Sequence, residues 1–489
     1  MLARTALLAL ATTASALAQY DYDKLTAGRL GGSLDLQVSG APANQVVLFL
    51  VSGNAGPTPL ALLDPTDPRS LSVGTDLLAA LTVQITSPTG GASYSLPLPN
   101  NPALNAYVLH WQTAMLTLGT PFFGQLSNDV VTQTGLPDTG VLATSALTSS
   151  RALAASFVDR NNNGGQGDVV VSGGGTGSLT AATGLASTEV WDFRRMQVLP
   201  GPTMSSPRAL HLAVPLANDR VLLIGGANAT GGVLASCEVY DPTTNSFTPT
   251  GSMATPRILH AACRLADGRV MVAGGTSTLQ HDALAAIGGP RLGLALSLLP
   301  NNQVMVSGGV QYAPIFGIPN ASSVTTVQRW NPATGTWANG PNMAQPRAGH
   351  HYNQVTLADG RILMTGSFTI PSILAATTAT PGNGAEAYNP TTNSWATFNM
   401  PTARVLHTAT RLADGRVVVA GGSQGTLIAT TPIANVDVFN PASNSWTSAP
   451  ALLAPRAGHV AHRLPDGLLV LFGGQDAVAT VGTIETLRF

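Results

Sequence analysis

Arg257-Ile-Leu-His260, followed by Leu265-Ala-Asp-Gly-Arg-Val-Met-Val-Ala-Gly-Gly275, returns in the same chain as Arg404-Val-Leu-His407 and Leu412-Ala-Asp-Gly-Arg-Val-Val-Val-Ala-Gly-Gly422. Related copies begin at Arg151, Arg208, Arg291, Arg347 and Arg456. A second block follows the glycine pair: Glu238-Val-Tyr-Asp-Pro-Thr-Thr-Asn-Ser-Phe247 recurs as Glu386-Ala-Tyr-Asn-Pro-Thr-Thr-Asn-Ser-Trp395 and Asp437-Val-Phe-Asn-Pro-Ala-Ser-Asn-Ser-Trp446, with a looser copy from Gln328 to Trp337. Self-similarity of this length marks a fold made of stacked units.

Each unit reads as four short strands. The first follows the Arg, and Asp-Gly turns it into the second. The second is an apolar run such as Val270-Met-Val272, closed by Gly-Gly where backbones bend or approach closely. The third alternates about a Tyr, Phe or Trp, and Asp/Asn-Pro with Asn-Ser turns it into the fourth, which carries Trp or Phe. A single four-stranded unit cannot bury both faces, so the units must stack about an axis. The double glycine, the downstream Tyr and the Trp beyond it resemble the kelch family over residues 139 to 489. The fold class expected is therefore all-β, a kelch β-propeller preceded by a small β-sandwich.

The unit from Arg257 to Pro290 is short and lacks the Glu-x-Tyr block, with His281 to Ile287 available as one further strand. This gives seven units, one of them degenerate, with six blades as the alternative. The last unit ends on its third strand, and Val141 to Leu147 aligns with the fourth strand of another unit, Phe247 to Met253. Residues 140–147 are thus expected to complete the final blade and close the ring.

Upstream, residues 19–135 lack the repeat. Alternation in Ser33 to Val38 and the apolar run Val46 to Val51 predict strands of a small β-sandwich. The segments Leu96 to Pro102 and Gln125 to Asn128 resemble small modules of large bacterial exported proteins. Arg4, the apolar run Thr5 to Ala11 and Ala16-Leu17-Ala18 read as a signal peptide over residues 1–18, which places the protein outside the cell, secreted or at the surface. No later run is apolar and long enough for a membrane span.

Charged residues are only 10% of the 489, net charge is -1, and Lys24 is the sole lysine. Nucleic acid, which asks for clustered cations, is not an expected partner, and Schiff-base chemistry is left with one lysine near the mature N-terminus. Cys237 and Cys263 are read as two core thiols.

The repeated arginines and histidines are the candidate rim residues: Arg208, Arg257, Arg347, Arg404 and Arg456, with His211, His260, His350, His407 and His459, each three after its Arg. The favoured reading is structural, a guanidinium tying one blade to the next and an imidazole meeting the same turn in each blade; the alternatives are a ligand-binding rim or a ring of metal ligands. A kelch propeller also supports the copper site of galactose-oxidase-like enzymes. That resemblance implies two tyrosines, one cross-linked to a cysteine, and histidines; the nearest local cluster is His350, His351 and Tyr352. The sialic-acid mutarotase type lacks its carboxylate and Arg constellation here. Asp159-Arg-Asn161-Asn-Asn163-Gly matches the start of a calcium loop, with Asp168 standing in for the missing Glu. A plain Asn/Gly turn is the other reading.

The expected function is an exported, monomeric, non-catalytic binding or scaffold protein that uses propeller loops to bind an extracellular glycan or protein, without a cofactor unless the loop holds calcium. The inserts Gln311 to Val324 and Phe368 to Gly384 are the first choice for the binding rim. The alternative is a galactose-oxidase-like or sugar-processing propeller enzyme.

Overall fold

The computed structural model describes residues 21–489 except 63, 75, 77–81, 118–120, 161–166, 177–182, 278–290, 313–319, 351–352, 373–378 and 427–428. Among the described residues the chain is all-β apart from two short 3-10 turns, and no helix is long and apolar enough to cross a membrane.

Seven sheets follow the seven repeat units. Blade 1 is Ala155–Asp159, Asp168–Ser172, Thr188–Asp192 and Gln197–Pro200, paired antiparallel in that order. Blade 2 (first strand Leu212–Pro215), blade 4 (Ala295–Leu298), blade 5 (Gln354–Thr356) and blade 6 (Thr408–Arg411) repeat the pattern. Blade 3 has two described strands, Ile258–Arg264 and Val270–Thr276; the segment read as its further strand, 281–287, lies outside the described residues. Blade 7 takes Val460–Arg463, Leu469–Phe472 and Ile484–Leu487 from the C-terminal end and Gly140–Leu142 from before blade 1, with Gly140 opposite Leu487 and Leu142 opposite Glu485. Beyond that short strand, Leu147 enters the core between blades 7 and 1 with Val169, Trp191, Val470 and Phe472.

The turns follow from sequence chemistry. In Leu265-Ala-Asp-Gly-Arg269 the Gly268 N–H donates to Leu265 O (3.0 Å), and Gly268 has φ +90°. This is a tight turn ending in a left-handed glycine, with Asp267 Oδ1 accepting from Arg269 N. The third and fourth strands are locked by cross-strand aromatic pairs, Tyr240–Phe247, Tyr388–Trp395 and Phe439–Trp446, with ring centroids 5.1, 5.1 and 5.0 Å apart.

Upstream of the propeller, a three-stranded sheet (Asp21–Lys24, Ser33–Ser39, Ala92–Pro97) packs on a five-stranded one built around Val46–Ser52 and Val108–Leu116. Leu34, Leu36 and Val38 from the first meet Phe49, Val51 and Trp111 from the second in one core, the two-layer arrangement of a β-sandwich.

The two cysteines are free. Cys237 packs with Val214 and Ile224, against Ala262 of blade 3, whereas Cys263 packs on the opposite face of that same strand, with Ala261 and Leu294. Successive strand residues face opposite ways, so the two thiols lie on different seams.

Candidate functional site

The repeated arginine is the best-connected residue of each blade. Arg208 donates from Nη1 to the carbonyls of Gly225 and Ser236, both at 2.8 Å, and from Nη2 to Glu238 Oε1 at 2.8 Å. The same clamp joins Arg151 to Glu189 (2.5 Å), Arg347 to Glu386 (3.0 Å), Arg456 to Glu485 (3.5 Å), and Arg404 to Asp437. The carboxylate is the first residue of the Glu-x-Tyr block, and it also accepts from the linker arriving from the preceding blade: Glu238 from Ser205 N, Glu386 from Ala344 N, Glu485 from Leu453 N. The guanidinium thus closes on its own blade, correcting the expectation that it reaches into the next. The bridge to the previous blade is made by the arginine's backbone: the carbonyls of Arg151, Arg208, Arg257, Arg347 and Arg456 accept from Gly474, Gly174, Gly226, Gly309 and Gly422 at 2.7–3.0 Å. Where the acid is lost, the clamp weakens. Blade 3 lacks the block, and among the described residues the Arg257 side chain keeps one hydrogen bond, to Gly274 O; in blade 4 Gln328 stands where the acid would be, and Arg291 reaches two carbonyls only at 3.4 Å.

The histidines fill the seams. His211 Nε2 pairs with Ser172 Oγ of blade 1 (2.9 Å), His350 with Ser307 of blade 4 (3.2 Å) and His407 with Thr365 of blade 5 (2.8 Å). His459, facing Ala420, turns to Thr408 instead (3.0 Å). Each ring lies over the first glycine of the neighbouring pair: a Cβ on Gly225 would come within 3.1 Å of His260 Cε1 and 2.6 Å of Arg257 O. Burial, with the neighbouring Arg, drives the imidazoles toward neutrality: His211 and His459 down to about 3, His260 to about 4, and His407 well below its ordinary value. The proposed rim residues are therefore interior. Four of the five arginines and all five histidines are buried, and Arg257 is half-buried.

The residue two after each Arg escaped sequence reading. Leu153, Leu210, Leu259, Gly293, Gly349, Leu406 and Gly458 all have φ between +53° and +72°. A leucine is rarely placed there, so nothing in the composition announces it. Five of the seven steps between neighbouring blades are hydrogen-bonded through these residues: Leu210 N donates to Leu153 O, Gly293 to Leu259, Gly349 to Gly293, Gly458 to Leu406 and Leu153 to Gly458, all at 2.8–3.0 Å. The ring closes between blades 7 and 1 through His462 Nε2 and Ser156 Oγ, 2.8 Å apart. Leu153, Leu406 and Gly458 also line a cavity of about 290 Å³, with Ala155, Ala213, Ala409 and Ala461 among its apolar residues and Ser156, Thr408, Thr410, His211, His407, His459 and His462 as its polar ones.

Asp159 and Asp168, the ends of the calcium-loop motif, sit opposite each other at the base of a hairpin. Asp159 accepts from Tyr240 OH (2.7 Å) and Asp168 from Phe193 N (3.0 Å), both carboxylates buried. Asn161 and Asn163 lie outside the described residues, as do His351 and Tyr352. Among the described residues no three His, Cys, Asp or Glu side chains converge as metal ligands, and the tyrosines of the repeat are tied to Asn245 and Asn393, so the described residues do not assemble the Cys–Tyr copper set. In the two inserts, Val310–Tyr312 pairs with Ala321–Ser323, and Ser323 N donates to Ile370 O of the second insert (2.7 Å). Val310, Phe368, Ile370 and Val405 form a shared apolar cluster beneath.

The profile of the family described as "Kelch motif" matches residues 208–254 and 406–453, the Arg-to-fourth-strand spans of blades 2 and 6. The spermatocyte protein spe-26 of Caenorhabditis elegans is 28% identical over 151 residues, which are 30% of this chain and 25% of that protein; the match thus spans about a quarter of the relative. A solved structure described as a novel fungal alcohol oxidase with catalytic diversity among the AA5 family, in complex with copper, aligns with a TM-score of 0.52 at 16% identity over 71% of this chain and 75% of that one. The chain is a kelch-repeat β-propeller. Its fold is distantly like that of the galactose oxidase group.

Proposed function

We propose that the protein is a non-catalytic binding or scaffold protein whose propeller loops take an extracellular protein or carbohydrate. The carrying observation is the fate of the repeated Arg and His side chains: they are spent on seams, neutral or paired, and the surface that departs from the repeat is the pair of inserts meeting at Ser323 and Ile370. Kelch repeats often mediate protein binding, which supports the protein arm of this reading. The leader over residues 1–18 supports export to the medium or cell surface, and the Asp159–Asp168 hairpin is offered as a calcium site; equal melting with and without chelator would remove it. The fold likeness to a copper alcohol oxidase keeps an enzymatic reading in view, copper and oxidation being properties of that relative. Metal analysis of purified protein and an assay on a panel of sugars and alcohols separate the two: the binding reading expects no stoichiometric copper and no turnover, and either one would sink it. A glycan array and affinity capture from culture medium then identify the ligand class.

A further inference from the structure

A second, larger concavity lies off the axis, where the sandwich meets blade 1. It measures about 680 Å³, within the range of roughly 300–1,000 Å³ typical of small-molecule sites, which favour domain junctions. At its centre the Arg195 guanidinium is fixed by two carboxylates. Its Nε reaches both Asp129 oxygens (3.0 and 3.1 Å), Nη2 reaches Asp129 Oδ1 (2.8 Å), and Nη1 reaches Asp192 Oδ2 (3.1 Å). The Arg195 side chain stays 40% exposed and that of Asp129 25% exposed, so outward N–H groups and carboxylate lone pairs remain for a ligand. Beside them stands half-buried His110, whose ring makes no hydrogen bond among the described residues and which burial holds neutral. Pro57 and Val108 supply an apolar wall.

Two carboxylates on one guanidinium leave the site net negative, which disfavours anions. A planar Asp–Arg pair, a neutral imidazole and an apolar wall complement a molecule with many hydroxyls and C–H faces: the hydroxyls donate to Asp129 and accept from Arg195. We propose that this cleft binds a short neutral oligosaccharide. The proposal rests on the binding reading above and places the ligand at the sandwich–propeller junction instead of on the propeller loops.

The test is isothermal titration of the full chain with cellotetraose, maltotetraose and chitotetraose, and with tetragalacturonate as the anionic counterpart. At least one neutral sugar is expected to bind, with the uronate weaker by about tenfold or more, a loss of about 1.4 kcal/mol. His110→Ala and Arg195→Gln should each weaken binding by about tenfold or more. Ser72→Trp, which puts a bulky ring into the cleft from an exposed strand position and leaves the ion-pair residues unaltered in sequence, should abolish binding while the melting temperature stays unchanged. Sugar binding that survives both Ser72→Trp and His110→Ala overturns the cleft and leaves the binding reading standing. No binding of any neutral sugar overturns the cleft as well, and the glycan array and affinity capture then judge the wider reading alone.

Discussion

Between the blades, Arg151, Arg208, Arg347, Arg404 and Arg456 are buried one to one with a carboxylate of their own blade, each guanidinium also donating to backbone carbonyls. At the junction between sandwich and propeller, Lys24 and Arg488 are buried beside Asp466, with Asp192 also acting on Lys24. Lys24 Nζ lies 3.9 Å from Asp466, donates to Val131 O at 3.0 Å and sits 4.7 Å from the Phe193 ring centre; Arg488 donates to Gln133 O and Thr486. Burial pushes Lys24 down to about 8 and Arg488 to about 10, while Asp466 is pushed up. Desolvation is thus offset in these five blades by an acid matched to each base, whereas Lys24 and Arg488 share Asp466. Removing one partner of a matched seam pair should therefore cost more than removing one at the junction.

The largest effect is expected from replacing residues 140–147 with a Gly/Ser linker. Loss of Val141 and Leu147 from the core costs roughly 2–5 kcal/mol for a leucine-sized deletion alone, and blade 7 loses its fourth strand; the melting temperature should fall far beyond a loop change, and an unchanged melt would mean the ring does not depend on that strand. Next, Arg347→Ala should destabilise by about 3–5 kcal/mol in urea unfolding because Glu386 is left buried and unpaired, whereas Arg291→Ala, which strands no acid, should cost clearly less. Equal losses would erase the distinction drawn here.

At the junction, Lys24→Met and Asp466→Asn should each cost about 1–3 kcal/mol, and the double variant less than their sum, with a coupling of about 0.5–3 kcal/mol. Additive losses would show that the two charges do not sense each other.

The repeat made the fold legible because propeller strands, turns and glycine pairs depend on local pattern, and the short third unit could be seen to lack its Glu-x-Tyr block. The clamp was less legible: Arg208 and Glu238 are far apart in the chain, and only folding shows that the two ends of the consensus meet. The left-handed leucines break a conformational rule, so composition gives no hint of them. Lys24 belongs to Asp21-Tyr-Asp-Lys24, which reads as an exposed polar start; its burial follows from the way the sandwich docks, which no repeat prescribes. The cleft around Arg195 was missed for the same reason, its walls coming from two unrelated parts of the chain.

Acid should act mainly through the seams, and more gently per group. The unfolded histidines titrate near 6.5, and the folded ones lie well below. As pH falls through 6.5 the unfolded state therefore binds more protons, and stability drops by up to about 1.4 kcal/mol per pH unit for each such histidine. Asp466 and Glu485, whose buried carboxyls are raised, act in the opposite sense. Urea midpoints measured from pH 7.5 to 5 should fall steadily, and His211→Gln should flatten the slope.

Histidine-selective NMR on the intact protein, with imidazole nitrogens followed from pH 8 to 5, addresses the seam account at its root. Rings at 211, 407 and 459 should stay neutral throughout, while an exposed ring would titrate in that range. Protonation of those three near pH 6.5 would show that they face solvent or a ligand site, and that the blades are joined by some other means.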